Sequence, residues 1–394
     1  MGIMTTSQDT LQPTRDIPVI PSTGRLDRCC EGDQELRLLV DRLIEVAKRG
    51  LALMFDPELG GFVHSVRRQV DGSLARTGES LRYGAIALLG IRLLSLDEQR
   101  SILGGQTARE LGCRLGEQAL RSNDLGAVSG CAWAAFELDL PEAKTVLQRA
   151  LDLEASASNP YTVDLAWLGS ALAASTESNI EASGQHVADR LVEEFRPHAQ
   201  VFPHRMGEAV NGFRSHVASF ADQVYPIQAL SRLHHRFGMD RALEVAVACS
   251  DRICELQGGH GQWWWHYDVR TGAIVERYPV YSVHQDAMGP MCLLDVEEAG
   301  GPVYREAIRS SLRWMVESIE LGHSLIDDEA GVIWRKVARI GPNKMMRAAN
   351  AAASKLHEGL RFGLLGSALP PRSVDWECRP YHLGWVLHAW LSES

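Results

Sequence analysis

Residues 161–175 read YTVDLAWLGSALAAS. Wound at 3.6 residues per turn, this segment has no polar side, because Leu165, Ala166, Trp167, Leu168, Ala171 and Leu172 spread around the whole circumference. A helix that is apolar all round has to be buried all round. Five more segments share the design, polar or aromatic at the start and then apolar with many small residues. They are GESLRYGAIALLGIRLL (78–94), VSGCAWAAFEL (128–138), SFADQVYPIQALSRL (219–233), YSVHQDAMGPMCLLDV (281–296) and CRPYHLGWVLHAWL (378–391).

Helices of a second kind lie between them. QELRLLVDRLIEVAKRGLALMF (34–55), RALEVAVACSDRICELQ (241–257) and REAIRSSLRWMVESIEL (305–321) carry apolar residues on one face only. Alternating fully buried and half-buried helices predict an inner ring and an outer ring. Six such pairs close into an all-α (α/α)6 toroid; the other arrangements open to helix pairs are an open solenoid or a generic all-α domain. Strand-like runs are short: 60–68, 331–340, and 266–278 with a turn at Thr271-Gly272. They read as small β-hairpin insertions on a helical body. The widest gap between inner helices, before the sixth, carries the insertion DDEAGVIWRKVARIGPNKMMRAANAAASKLHEG.

The chain has 394 residues, 45% hydrophobic and 23% charged, which is globular composition and length enough for a large core without disulfides. A net charge of -10 argues against nucleic-acid binding. No apolar run approaches the ~18 residues of a membrane span. The opening MGIMTTSQDTLQPTRDIPVIPSTGR lacks an apolar signal core, so residues 1–30 read as a flexible polar tail before a single domain, 31–394. Eight cysteines form no C-x-x-C pair and several sit in apolar helical contexts, which predicts free thiols in a reducing, cytoplasmic compartment.

In a toroid, the segments leading into the inner helices ring one mouth of a central funnel, a usual place for a ligand. The first lead-in carries Glu79, Arg82 and Tyr83, the second Cys131 and Trp133, the third Asp164 and Trp167. The fourth carries Asp222, Gln223 and Tyr225, the fifth Tyr281, His284, Gln285 and Asp286. The sixth has Asp375, Trp376, Glu377, Arg379, Tyr381 and His382. Carboxylates at helix starts also serve as caps, which is the plain reading of Asp164, Asp222 and Asp375.

The richest segment is QGGHGQWWWHYDVRTGAIVERYPVYSVHQDAM (257–288). Trp263, Trp264 and Trp265 in a Gly-rich loop offer a platform for a sugar ring, an isoprenoid chain or a cation. Tyr281, His284 and Asp286 are the first candidates for acid and base, with Asp222 and Glu377 as further carboxylates. Candidate substrate contacts are Trp263, Trp264, Trp265, His266, Tyr225, Arg82, Trp167, Arg379, Tyr381 and His382, together with Arg335 and Arg339. The latter two belong to a basic cluster with Lys336, Lys344 and Arg347, which is either a solvated face or an anion clamp. No cofactor is implied. Asp327-Asp328 is a paired acid open to a divalent metal, but no further spaced ligand accompanies it. There is no phosphate-binding G-x-x-x-x-G-K-[ST] loop, no Rossmann fingerprint, no H-E-x-x-H and no G-x-S-x-G elbow.

The six-hairpin pattern resembles the α/α-toroid group, which includes terpenoid cyclases, prenyltransferase β subunits, polysaccharide lyases, sugar epimerases and glycoside hydrolases. Gln257 through Trp263 fits the Q-x-x-x-G-x-W repeat core of squalene and hopene cyclases, without their D-x-D-D proton donor. Arg379-Pro380-Tyr381-His382 looks like the zinc-binding His position of prenyltransferases, without their Asp-x-Cys, so no zinc is implied. Three functions follow from the resemblance. The first is a carbohydrate-active hydrolase, lyase or epimerase working on a poly- or oligosaccharide in the funnel. In the hydrolase form Asp286 would pair with Asp222 or Glu377. In the lyase or epimerase form Tyr or His would take a proton and Arg would neutralise a carboxylate. The second is a terpenoid cyclase or prenyl-transfer enzyme, and the third a non-catalytic binding toroid. The partner expected is a small-molecule or oligosaccharide substrate, with no nucleic acid and no membrane; the oligomeric state is not legible.

Overall fold

The computed structural model describes residues 24–207, 214–339, 351–353, 355 and 371–392. Helices α1 (Arg25–Cys30) and α2 (Gln34–Met54) lead into strands β1 (Phe55–Asp56), β2 (Gly61–Arg68) and β3 (Leu74–Glu79). A helical run follows: α3 (Leu81–Ile91), α4 (Leu96–Ile102), α5 (Ala108–Leu120), α6 (Leu125–Glu137), α7 (Ala143–Ser156), α8 (Thr162–Ala174) and α9 (Glu181–Glu194). Next come β4 (Val217–Ser219), α10 (Ala221–Phe237), α11 (Asp240–Glu255), β5 (His266–Asp268), β6 (Ile274–Glu276) and β7 (Val280–Tyr281). A π turn, His284–Met288, opens α12 (Gly289–Glu298), followed by α13 (Arg305–Val316). The chain closes with β8 (Ile326–Asp327), β9 (Val332–Ile333), β10 (Lys336–Arg339), β11 (Pro371–Asp375), β12 (Glu377–Cys378) and α14 (Pro380–Leu391).

The six all-apolar segments are the inner ring. α3 packs on α6, α6 on α8, α8 on α10, α10 on α12, α12 with its π turn on α14, and α14 back on α3. The outer helices sit over the joints: α5 on α3 and α6, α7 on α6, α9 on α8, α11 on α10, α13 on the π turn, and α2 on α14. The ring closes at α3 and α14 because neither has a side chain at the crossing. A Cβ on Gly90 would stand 2.3 Å from the Gly384 carbonyl oxygen, and one on Gly384 would stand 2.6 Å from the Ala87 Cα.

The strands decorate the segments leading into the inner helices. β2 pairs with β1, β3 and β12, and β10 joins β11 to β7. The hairpin expected over 266–278 is β5 and β6, with β4 added as a third strand. Gly272 makes its turn at φ +68°.

Two boundaries differ from the sequence reading. α6 begins at Leu125, ahead of the expected Val128, because the Asp124 side chain accepts the Ala127 N–H (3.0 Å) and caps it. Cys131 and Trp133 therefore do not mark a lead-in; Trp133 lies in the last turns of α6, where its indole N–H bonds Glu137. The stretch 1–30 expected as a tail contains α1, whose Arg25 and Arg28 are buried, Arg25 bonding Asp295 and Glu298 of α12. Lys344 and Arg347 of the basic cluster lie outside the described residues. Among the described residues no helix is long and apolar enough to cross a membrane.

The π turn has a local cause. Pro290 has no N–H to give the Asp286 carbonyl four residues back, and its ring would crowd that oxygen. The backbone widens so that the Gly289 N–H bonds the His284 carbonyl instead. The freed Asp286 carbonyl accepts the Trp390 indole N–H at 2.7 Å. This turn is what carries both His284 and Asp286.

Candidate active site

The N-terminal ends of the six inner helices share one end of the ring, and their side chains meet there. His382 stands in the first turn of α14, which Pro380 starts at the position where a missing N–H costs nothing. Its imidazole Nε2 lies 2.8 and 2.9 Å from the two carboxylate oxygens of Asp286. Asp286 is fully buried, and burial pushes its carboxyl up in spite of the neighbouring imidazole. His284 is buried too, its ring 4.6 Å from Phe220 and 5.0 Å from Tyr281. Burial, with the His382 and Arg335 charges, lowers its pKa to about 3, so the ring is neutral at physiological pH. Its Nδ1 has no hydrogen-bond partner. Behind them Tyr225 accepts the Trp385 indole N–H (2.9 Å) and meets Trp167 edge-on at 5.3 Å.

A cationic arc flanks these histidines. Glu377 is fully buried and takes ion pairs from Arg67, Arg335 and Arg379. Arg379 also donates to the Tyr83 hydroxyl at 2.6 Å, and Tyr83 lies 4.7 Å from the Tyr381 ring. Arg335 and Lys336 stand over the Tyr281 ring at 5.3 and 5.1 Å. Asp375 answers Lys336 at 3.0 Å and Arg335 at 3.5 Å. Among the described residues, Arg67, Arg335, Lys336 and Arg379 thus face the carboxylates of Asp375 and Glu377, four positive charges to two negative. Burial and the Arg335 charge hold Lys336 below its ordinary range, and burial raises the Tyr381 hydroxyl.

Two further carboxylate clusters complete the end of the ring. Arg82 bridges Asp124 (2.8 Å) and Asp164 (2.6 Å), and burial raises Asp164 despite that contact. Asp222 accepts from the Ser219 N–H (2.7 Å) and hydroxyl (2.8 Å) and from the His204 Nδ1 (3.0 Å). The Asp222 hydrogen bond raises His204, outweighing burial.

The residues singled out in the sequence divide accordingly. Tyr281, His284, Asp286, Arg335, Arg379, Tyr381 and His382 come together. Glu377 and Asp222 are present but engaged, the first by three guanidinium groups and the second by His204 and Ser219. Trp263 and Trp264 are core residues and no platform: Trp263 is fully buried against Phe220 at 5.6 Å, and the Trp264 indole bonds the Leu256 carbonyl. Only Trp265 is half-exposed, stacked on His266 at 3.9 Å and meeting Tyr281 edge-on at 5.3 Å. Arg339 turns to the hairpin, pairing with buried Glu276 at 3.0 Å under Tyr278. Asp327 and Asp328 are held by Arg68 (2.7 Å) and Arg42 (2.9 Å). Among the described residues no three His, Cys, Asp or Glu side chains gather into a metal-binding group.

His64, Asp124 and His204 are additions from the structure. His64 packs on Tyr83 at 5.0 Å. Asp124 had a sequence signal, an Asp directly before an apolar run. His64 and His204 had none.

Solved structures share this architecture. An unsaturated glucuronyl hydrolase specific for heparin superposes with a TM-score of 0.58, covering 91% of this chain and 96% of that one at 12% identity. A sugar epimerase from a ruminal bacterium gives 0.57, covering 91% and 98% at 12% identity. The chain is an α/α toroid. Cellobiose 2-epimerase from Bacillus thermoamylovorans matches the toroid at 0.56, over 86% of this chain and 94% of that one, at 11% identity. No protein-family model matches the toroid's sequence, and no curated protein matches it. At such identities the likeness is one of fold.

Proposed function

We propose that this toroid is a carbohydrate-active enzyme that moves a proton at one sugar carbon, as an epimerase or a lyase does, with His382 as the base. The observation that carries the reading is the His382–Asp286 pair standing beside a neutral, buried His284 under a cationic arc. With Asp286 accepting the Nε2 proton, His382 keeps a lone pair on Nδ1 for a C–H beside a carbonyl or carboxylate. The C–H bond breaks, the proton goes to His382, and the electron pair moves onto the carbonyl oxygen. Arg335 and Arg379 supply the positive charge that such an oxygen needs, and neutral His284 can donate a hydrogen bond to it. Return of a proton to the other face completes epimerisation; loss of the C–O bond at the next carbon completes elimination. Trp265 and Tyr281 offer the aromatic faces on which a sugar ring packs.

Hydrolysis is the second reading, and one observation favours it. Asp124 and Asp164 share Arg82, with Asp164 pushed up and Asp124 held down by Arg82 and the Ala127 N–H, and two carboxyls set apart in this way can divide acid and base roles. The unsaturated glucuronyl hydrolase among the similar structures is in keeping with it. In the pair built on Asp286 with Asp222 or Glu377, Asp286 holds His382, Asp222 holds His204 and Glu377 holds three guanidinium groups. The prenyl reading is weakened because Trp263 and Trp264, which it needed as a carbocation platform, are core. Eight cysteines without a disulfide suit a reducing, cytoplasmic setting.

Mass spectrometry and chromatography of neutral and uronate-containing sugars incubated with the protein test the reading. Unchanged mass with a new retention time, or unsaturated fragments, supports it. Fragments carrying added water move the assignment to Asp124 and Asp164. Binding without conversion leaves a non-catalytic toroid.

A further inference from the structure

The other end of the ring carries a cavity of about 450 Å³, within the ~300–1,000 Å³ range of small-molecule sites. Its wall draws on the C-terminal ends of all six inner helices and on α1: Arg92 after α3, Glu137 of α6, Ala173 of α8, Arg232 of α10, Asp295 of α12 and Ser392 after α14, with Arg25 beside them. It lies at the opposite end of α14 from His382.

Helix C-termini present carbonyls and a partial negative charge, which basic residues ordinarily answer. Here the answer exceeds the need. Arg92 (2.9 Å) and Arg232 (2.8 Å) share the single carboxylate of Glu137, and Arg25 takes Asp295 (2.7 Å) and Glu298. Arg236 stands on the rim with its guanidinium over Phe237. Four arginines thus face three carboxylates. Donors are left over as well: Arg25 is 3% exposed and its Nη1 has no partner, and the buried Nε atoms of Arg92 and Arg232 have none. A buried donor without an acceptor carries a desolvation cost that an incoming oxygen removes. His388 lies among these arginines, its ring packed on Trp133 at 5.3 Å. Burial, with Arg92, Arg232 and Arg25, holds it well below its ordinary range, in keeping with a positive local field.

We propose that this cavity is a second ligand site, which takes a small metabolite through an oxyanion group, a phosphate ester or a carboxylate, held by Arg25, Arg92 and Arg232. The Ser231 and Ser392 hydroxyls donate to the Ile227 and His388 carbonyls, which leaves their oxygens to accept from hydroxyls on the neutral part of the ligand.

Calorimetric titration of the full-length protein with inorganic phosphate, glucose 6-phosphate, citrate and, as a neutral control, glucose tests this. Saturable binding of at least one anion is expected, with no binding of glucose at this site. Arg92→Gln weakens it tenfold or more, and Arg236→Gln, on the exposed rim where folding is not at stake, weakens it less. Preference for glucose 6-phosphate identifies the phosphate source, and preference for citrate the carboxylate source. Anion binding that survives Arg92→Gln and Arg236→Gln but is lost in Arg335→Gln would place the anion at the other end of the ring and overturn the proposal. So would the absence of binding by all three anions.

Discussion

Replacing Gly384 by Ala tests how the ring is closed. The added methyl would sit 2.6 Å from the Ala87 Cα, 2.6 Å from the Ile86 carbonyl oxygen and 2.9 Å from the Ala87 nitrogen, where ordinary contact begins at 3.4 Å. All three are backbone atoms of α3, so no side chain can turn aside. The helices must part by about 0.8 Å, and overpacking of this kind costs roughly 1–3 kcal/mol. Alanine returns about 0.5–1 kcal/mol of helix propensity over glycine. The net expectation is a loss of about 1–2 kcal/mol, read from the urea midpoint at unchanged slope. Gly61→Ala is the control: nothing lies within 4 Å of its Cβ and its φ is ordinary, so its change stays within about 0.5 kcal/mol. A Gly384→Ala protein as stable as the parent, or more stable, would refute the close α3–α14 crossing. His382 stands half a turn before Gly384, so the same displacement also disturbs its 2.8 Å contact with Asp286.

Two further predictions concern buried charge. His284 has its folded pKa lowered to about 3 from 6.5, so between those values the unfolded chain binds a proton that the folded chain refuses. The stability it permits is present in full above pH 6.5 and falls by about 1.4 kcal/mol for each pH unit below that. Urea midpoints at pH 7, 6 and 5 should therefore fall less steeply in His284→Asn, by about 2 kcal/mol over the range to pH 5; equal slopes would count against the buried neutral ring. Glu377→Gln leaves Arg67, Arg335 and Arg379 without their common buried counter-charge and should cost about 3 kcal/mol by the same assay. A neutral result would mean that the three guanidinium groups do not depend on it.

The inner ring was legible because burial on every face leaves a composition that half-exposed helices do not have. Residues 161–175 and 378–391 show it without any partner in view. The apolar run from Val128 points to a later start for α6 than the one the capping carboxylate of Asp124 sets at Leu125. Among Trp263, Trp264 and Trp265 the sequence has no means of choosing. Only the fold, which sets the first against Phe220 and the second against the Leu256 carbonyl, leaves the third at the open end. The engagement of Glu377 was hidden for another reason: Arg67 lies on a strand paired with β12 across most of the chain. The cavity at the far end draws a few residues from each of six helix ends far apart in the sequence, and no local pattern announces it.

Solvent deuterium incorporation is the most direct test of the central claim. The protein is incubated in D2O with the sugar it converts, and the recovered sugar is examined by proton NMR. The account predicts loss of one C–H signal, with deuterium entering at that carbon if the reaction is an epimerisation and a new vinyl proton appearing if it is an elimination. It also predicts that His382→Gln abolishes the exchange while the protein still folds and binds the sugar. Conversion with neither deuterium at a carbon nor an unsaturated product, or exchange or elimination that persists in His382→Gln, would contradict it.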